Sequence, residues 1–316
     1  VGYVRQIGPN SSVAKIGDPV ILTFSACHNC EQCQNGHPAH CSQFETLNFG
    51  VSDATYVFSD SSEENPKSNN IHGSFFGQSS FSNLTIVRES SIVNVSGIMG
   101  QEDKNELALM APLGCGVQTG TGAIINAANA GPKDRVVILG LGGVGLSAVM
   151  GAKIAGCAQI IGIDRYESRL ELAKELGATD VINTASLSMS GVSDMVLAKT
   201  NNLGANITLD STGVPELIQE ALRMTTFKGK ILQVGAAPMD AKLMIPIFEF
   251  MSTGKQFIGV VEGDVNPQQY IPQMVEWARE GRLPLEKIVQ FYDAEDYDKA
   301  ITDMKSGKTI KPIIRW

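Results

Sequence analysis

The sequence predicts an α/β protein in which a six-stranded doubly wound parallel sheet is joined to a second, β-rich domain. Three observations predict it. From Arg135 onward, short β-branched runs alternate with helical patterns, as strands linked by crossover helices do. One strand-to-helix turn, Gly140-Leu-Gly-Gly-Val-Gly145, is rich in glycine. Residues 1–116 carry instead short strand signals separated by turn residues, such as Gly17-Asp18-Pro19 and Gly73.

The 316 residues suffice for two domains, and 43% hydrophobic with 18% charged residues reads as globular. A net charge of −8 without Lys/Arg blocks argues against nucleic acid and against an anionic membrane surface as partners. Val136 to Ala152 is apolar apart from Ser147, yet its five glycines fit a turn better than a membrane span. Val1-Gly-Tyr-Val-Arg5 is not a basic end followed by an apolar run, so the reading is cytoplasmic, with reduced thiols. Val1 is not Met, and a strand-like run opens at once over Val1 to Ile7. We therefore expect a fragment whose N-terminal part is absent.

Cys27, Cys30, Cys33 and Cys41 follow C-x2-C-x2-C-x7-C. A Cys-x-x-Cys turn delivers two thiolates to one metal, and four complete a closed tetrahedral zinc site. Disulfides fit a reduced compartment less well, and an iron–sulfur run closes with a shorter spacing and a proline where Ser42 stands. His28, His37 and His40 share this lobe and read as solvated loop histidines, since four thiolates fill the site. The run Asp60-Ser-Ser-Glu-Glu-Asn-Pro66 reads as a solvated loop.

Arg135 to Leu139 reads as a buried strand feeding the glycine turn, and a helix follows to about Gly156. Gly140 permits the tight turn, Gly142 lets backbone approach a pyrophosphate, and Gly145 lets the helix pack on the strand. A second strand, Gln159 to Ile163, ends at Asp164, nineteen residues beyond Gly145, where a carboxylate can accept the ribose hydroxyls of NAD. This is the fingerprint of a Rossmann sheet. Ser168–Leu176 then reads as helix, Asp180–Asn183 and Asn206–Asp210 as strands, and Pro215–Met224 as helix. Lys230–Val234 and Phe257–Val261 complete six strands. Gly235 lies at a strand's carboxyl end, where such sheets bind ligands, although a plain strand–helix turn also explains it. After about Glu262 come two helix patterns and a final strand, Ile310 to Trp316, expected to fold back onto the first domain.

With these residues in view, the chain resembles the zinc-containing alcohol dehydrogenases of the medium-chain dehydrogenase/reductase superfamily. The resemblance runs through Gly17-Asp-Pro-Val20, the four-cysteine lobe, Phe76-Gly-Gln-Ser-Ser-Phe-Ser82, Leu113-Gly-Cys-Gly116, the glycine turn, Asp164 and Ser306-Gly-Lys-Thr-Ile-Lys311. "APLGCGVQTG" and "SRLELAKELGATDVIN" are most similar to the aryl- or benzyl-alcohol branch. The resemblance implies a GroES-like catalytic domain from residues 1–116 and 262–316, truncated at its N-terminus, around a Rossmann domain at 117–261. It implies a structural zinc on Cys27, Cys30, Cys33 and Cys41, with Cys115 as one of three protein ligands of a catalytic zinc. Alone, Cys115 would read as a small buried hydrophobe, and Cys157 reads as core.

NAD would be held by Gly140, Gly142, Gly143, Val144 and Gly145, by Asp164 and Arg169 at the ribose, by Gly235, and by Lys311 at the pyrophosphate. Arg169 and Lys311 also fit as ordinary surface cations. The implied reaction is zinc-assisted oxidation of a small alcohol to an aldehyde or ketone, with hydride passed to NAD, by a homo-oligomer. The family's other two catalytic ligands, a Cys and a His, and the hydroxyl that starts its proton relay fall upstream of the position matching Val1. Two other readings stand beside it. One is a zinc-free superfamily member that reduces C=C bonds, against which the cysteine lobe and LGCG count. The other is a non-catalytic fragment that binds NAD and zinc.

Overall fold

A computed structural model describes residues 1–49, 57–58, 71–72, 75–78, 80–100 and 104–316, with 57–58 and 71–72 as backbone alone. The loop expected at 60–66, the turn at Gly73 and the side chain of His72 lie outside the described residues.

β1 (Gly2–Tyr3) pairs antiparallel with β2 (Pro19–Leu22). The expected opening strand is shorter than Val1–Ile7: residues 5–10 are exposed, and Gly8-Pro9 turns the chain away from the ladder. The cysteine lobe follows, with short helices α1 (Glu31–Gln34) and α2 (Phe44–Asn48). After a hairpin of β3 (Val57–Phe58) and β4 (Ile71–His72), β5 (Ile92–Asn94) pairs antiparallel with β2 and completes a three-stranded sheet. Next come α3 (Lys104–Leu109) and α4 (Gly116–Gly122).

The larger sheet begins with β6 (Arg135–Leu139), followed by α5 (Gly143–Ile154) and β7 (Gln159–Asp164). The alternation continues with α6 (Glu167–Leu176), β8 (Asp180–Asn183), α7 (Met189–Lys199) and β9 (Ala205–Asp210). It closes with α8 (Pro215–Met224), β10 (Thr225–Gln233), α9 (Ile247–Thr253) and β11 (Gln256–Gly259). The six strands run parallel in the order β11-β10-β9-β6-β7-β8. Helices cover both faces, which is why Val136 to Leu139 and Ile160 to Ile163 read as unbroken apolar runs and are fully or nearly fully buried. Strand order reverses between β6 and β9, so the ligand crevice of such a sheet falls outside Leu139 and Asp210. β10 starts five residues before the expected Lys230, through a bulge that includes Lys228 at φ 61°.

α10 (Pro267–Arg279) packs back on the first part of the chain, where Gln268 Nε2 donates to Ile92 O at 2.8 Å and Arg279 pairs with Glu106 at 2.6 Å. β12 (Val289–Asp293), α11 (Tyr297–Lys305) and β13 (Lys311–Arg315) end the chain. β13 pairs in parallel with β12 and does not join the three-stranded sheet.

Candidate active site and metal centre

The four lobe thiols converge, with their sulfurs within 4.8 Å of one another. Cys30 Sγ lies 3.5 Å from Cys33 Sγ and 4.0 Å from Cys41 Sγ, and Cys27 Sγ lies 3.9 Å from Cys33 Sγ. A tetrahedron of Zn–S bonds near 2.3 Å has sulfur–sulfur edges of about 3.8 Å, so the spacing fits zinc. All four are free thiols. Backbone N–H groups support the sulfurs: Cys30 donates to Cys27 Sγ at 3.3 Å, and Cys27 and Gln43 donate to Cys41 Sγ at 3.4 Å. N–H groups of Cys33 and Ser42 hold the Cys30 thiol down at about 5, while burial, with Cys30 beside it, pushes Cys33 up to about 12. As four thiolates at this spacing they would need a cation among them.

The glycine turn packs as its spacing predicts. Gly140 has φ 84°, and a Cβ on Gly145 would stand 1.8 Å from Gly140 O. Cβ atoms on Gly142 or Gly143 would meet nothing within 4 Å. No side chain caps the α5 N-terminus, so this open backbone fits a pyrophosphate. Asp164 is buried at the end of β7. Its Oδ2 accepts from Leu141 N at 2.8 Å and Arg169 Nη1 at 3.5 Å; its Oδ1 accepts from Arg165 N at 2.7 Å and Tyr166 N at 3.0 Å. Arg169 also stacks on Tyr166, 4.8 Å from the ring centre, and its Nε is buried without a hydrogen-bond partner among the described residues. Gly235 has an internal reason: a Cβ there would stand 2.3 Å from Gly213 N.

Cys115 immediately precedes α4, and α4 lies hard against α5. A Cβ on Gly120 would stand 2.2 Å from Val144 O, and one on Gly116 would stand 3.8 Å from Val144 Cγ2 and 4.0 Å from Lys311 Nζ. This crossing brings Cys115, Lys311 and the glycine turn together, with Gly116, Gly143 and Lys311 lining one small cavity. The residue Cys115 is exposed overall, yet local burial of its thiol, then the Glu262 carboxylate, push it up to about 12 against the pull of Lys311.

Sequence reasoning missed Glu262. Its carboxylate is buried and accepts from Gln118 Nε2 at 2.9 Å, Thr119 Oγ1 at 3.2 Å and Cys115 Sγ at 3.6 Å. Burial raises its pKa. Glu262 and Asp264 flank Gly263 with φ of 48° and 50°, a left-handed geometry that costs a non-glycine residue about 1–2 kcal/mol. The signal available was a Glu-Gly-Asp run just past the carboxyl end of a predicted parallel strand. His28, His37 and His40 are exposed, as expected of solvated histidines, but His37 also pairs with Asp264 at 2.9 Å, and His40 lies 3.9 Å from the same carboxylate.

With this geometry in place, known proteins supply the comparison. The family model "Alcohol dehydrogenase GroES-like domain" matches residues 1–96, and "Zinc-binding dehydrogenase" matches residues 143–280. Geraniol dehydrogenase of Castellaniella defragrans is 34% identical over 318 residues, covering 99% of this chain and 81% of the relative. The chain belongs to the zinc-type alcohol dehydrogenases. Two crystal structures share the fold of this family member. An alcohol dehydrogenase zinc-binding domain protein from Burkholderia ambifaria superposes with a TM-score of 0.89 at 38% identity. Benzyl alcohol dehydrogenase from Acinetobacter calcoaceticus superposes with a TM-score of 0.87 at 37% identity. Each covers 99% of this chain, which spans 81% of theirs. The α/β class, the six-stranded sheet and the GroES-like domain expected from sequence agree with these relatives, and the family is one of oxidoreductases. No helix among the described residues is long and apolar enough to cross a membrane.

Proposed function

We propose that this chain oxidises a small alcohol, aryl or benzylic by its motifs, to an aldehyde or ketone with NAD as hydride acceptor. The observation that carries the reading is the convergence of Cys115, Lys311 and the open glycine turn at the α4–α5 crossing. The chemistry NAD supplies when bound is acceptance of hydride. The chain's own residues do the rest. Gly142, Gly143 and the uncapped α5 N-terminus would hold the pyrophosphate, together with the Lys311 ammonium that lines the same cavity as Gly143. Asp164 would hold the adenosine ribose through its carboxylate.

Cys27, Cys30, Cys33 and Cys41 would hold a closed zinc site that staples the lobe. At Cys115 the described residues bring together two donors, this thiol and Glu262, and no three-donor group other than the lobe forms among them. Two donors do not make a zinc site, so no step is derived through a metal there.

We take residues 1–116 with 262–316 as the catalytic domain and 117–261 as the dinucleotide domain, a division supported by the return of α10 onto β5. We also infer a homo-oligomer in the cytoplasm. β11 is the outer strand of the sheet among the described residues, and in the segment that leads into it Met244, Ile247, Phe248 and Met251 stand more than two-thirds exposed.

The test is NADH absorbance with benzyl alcohol and geraniol as substrates, beside a Cys115→Ala control. The reading expects NADH from the benzylic alcohol and none from the variant. NAD binding without turnover on any alcohol would favour the non-catalytic reading.

A further inference from the structure

The turn that carries Glu262 is held from two sides. On one side the Glu262 carboxylate enters the site beside Cys115, held by Gln118 and Thr119 of α4. On the other side Asp264 faces the cysteine lobe. Both of its carboxylate oxygens lie 2.9 Å from His37 Nδ1, and its backbone oxygen accepts from Asn126 Nδ2. The Pro38–His40 turn packs directly on Glu262–Asp264. Between the two anchors, Gly263 lies so close to α4 that a Cβ would stand 2.3 Å from Gln118 O.

A left-handed run with non-glycine residues at both ends persists only where its surroundings over-determine it. The α4 contacts fix one end. At the other, His37 bonds the carboxylate of Asp264, from a lobe far away in sequence.

We propose that His37 and Asp264 are positioning residues: they clamp the Glu262–Asp264 turn to the cysteine lobe and so set Glu262 against Cys115. The lobe then does more than stabilise its own fold, because its order is transmitted to the candidate active site through the His37–Asp264 pair and the packing of the Pro38–His40 turn around it. The effect on turnover rests on the functional reading above; the clamp itself does not.

The test uses His37→Ala, which removes the donor, and His37→Asn, whose side-chain N–H can stand where Nδ1–H stood. Three quantities are read on each: hydrogen exchange of amides 261–265, zinc content, and kcat and KM for alcohol oxidation. In His37→Ala the proposal expects exchange at 261–265 to rise about twofold to fivefold, the scale of one solvent-exposed histidine–carboxylate contact. Lobe zinc stays bound, kcat falls, and KM for NAD is unchanged. His37→Asn should restore both exchange and kcat. Unchanged exchange at 261–265 in His37→Ala overturns the clamp. So does equal impairment of both variants, or loss of lobe zinc together with faster exchange across 27–41, because either outcome would make His37 a residue of lobe stability alone. A wild-type chain without turnover would count against the functional reading, while the exchange data would still decide the clamp.

Discussion

Asp164 shows how one side chain sets both a loop and a preference. Its two oxygens accept from Leu141 in the glycine turn and from Arg165 and Tyr166 beyond the strand, so the carboxylate ties β7 to the turn that follows β6. On the proposed function it would also place negative charge where a 2′-phosphate would sit. Repulsion at a few ångströms near a protein surface is on the order of 1–4 kcal/mol, or about one to three decades in affinity. Arg165 works against it, since a guanidinium beside the strand end can take a phosphate; here that guanidinium bonds Tyr166 Oη at 3.0 Å and packs on the ring. We expect calorimetric titration to give tighter binding of NAD than of NADP. Asp164→Ser should weaken NAD and narrow the gap by at least about tenfold. Equal binding of both cofactors by the wild type would refute it. Asp164 was legible because its distance from the glycines is fixed by one strand–helix–strand unit. Glu262 was not, because its partners Cys115, Gln118 and Thr119 lie more than 140 residues earlier in the chain. Nothing in its own neighbourhood of sequence announces them.

At the scale of elements, the decisive contact is the α4–α5 crossing. A Cβ on Gly120 would fall on Val144 O and Ala148 N, and one on Gly151 would stand 2.9 Å from Thr121 Cα, so the two backbones approach too closely to admit a side chain at either glycine. This approach seats Cys115 beside the cofactor turn. Gly120→Ala must push the helices apart, since its Cβ would meet backbone that cannot yield. Overpacking of this kind costs typically about 1–3 kcal/mol, and we expect a lower Tm by calorimetry together with weaker NAD binding. Gly142→Ala, with open space around it, should weaken NAD while leaving Tm nearly unchanged. A normal Tm in Gly120→Ala would mean that the crossing is looser than its geometry. The strands were legible from their apolar runs: Arg135–Leu139 and Asp180–Asn183 hold to the residue. The start of β10 was hidden, because the bulge between Thr225 and Lys230 breaks the pattern that marks a strand. The close crossing was hidden too, since "GVQTGTG" reads locally as a poor helix and gains its meaning only from the partner helix.

For the whole molecule, the lobe and the sheet are separate sources of order. Chelation should remove about one zinc ion per chain, raise proteolysis within residues 27–41, and leave NAD binding measurable, because the lobe's sulfurs lie outside the glycine turn. Cys33→Ser should do the same by genetic means. Loss of NAD binding with zinc content intact would show that the lobe has another role. The parallel sheet was legible from the alternation that begins at Arg135; the pairing of β13 with β12 was not, because the final strand's sequence does not say which edge it joins.

The outer edge of the sheet carries a further consequence. With β11 unpaired on one side among the described residues, and the apolar residues of α9 in the segment that leads into it, the folded chain keeps surface that a second copy would cover on the proposed assembly. Folding and association are then linked by mass action: the partner binds only the native chain, so native chains are drawn out of the unfolding equilibrium as concentration rises. Thermal midpoints of this protein become functions of how much of it is present, and variants that thin the edge register as less stable in dilute solution than in concentrated solution.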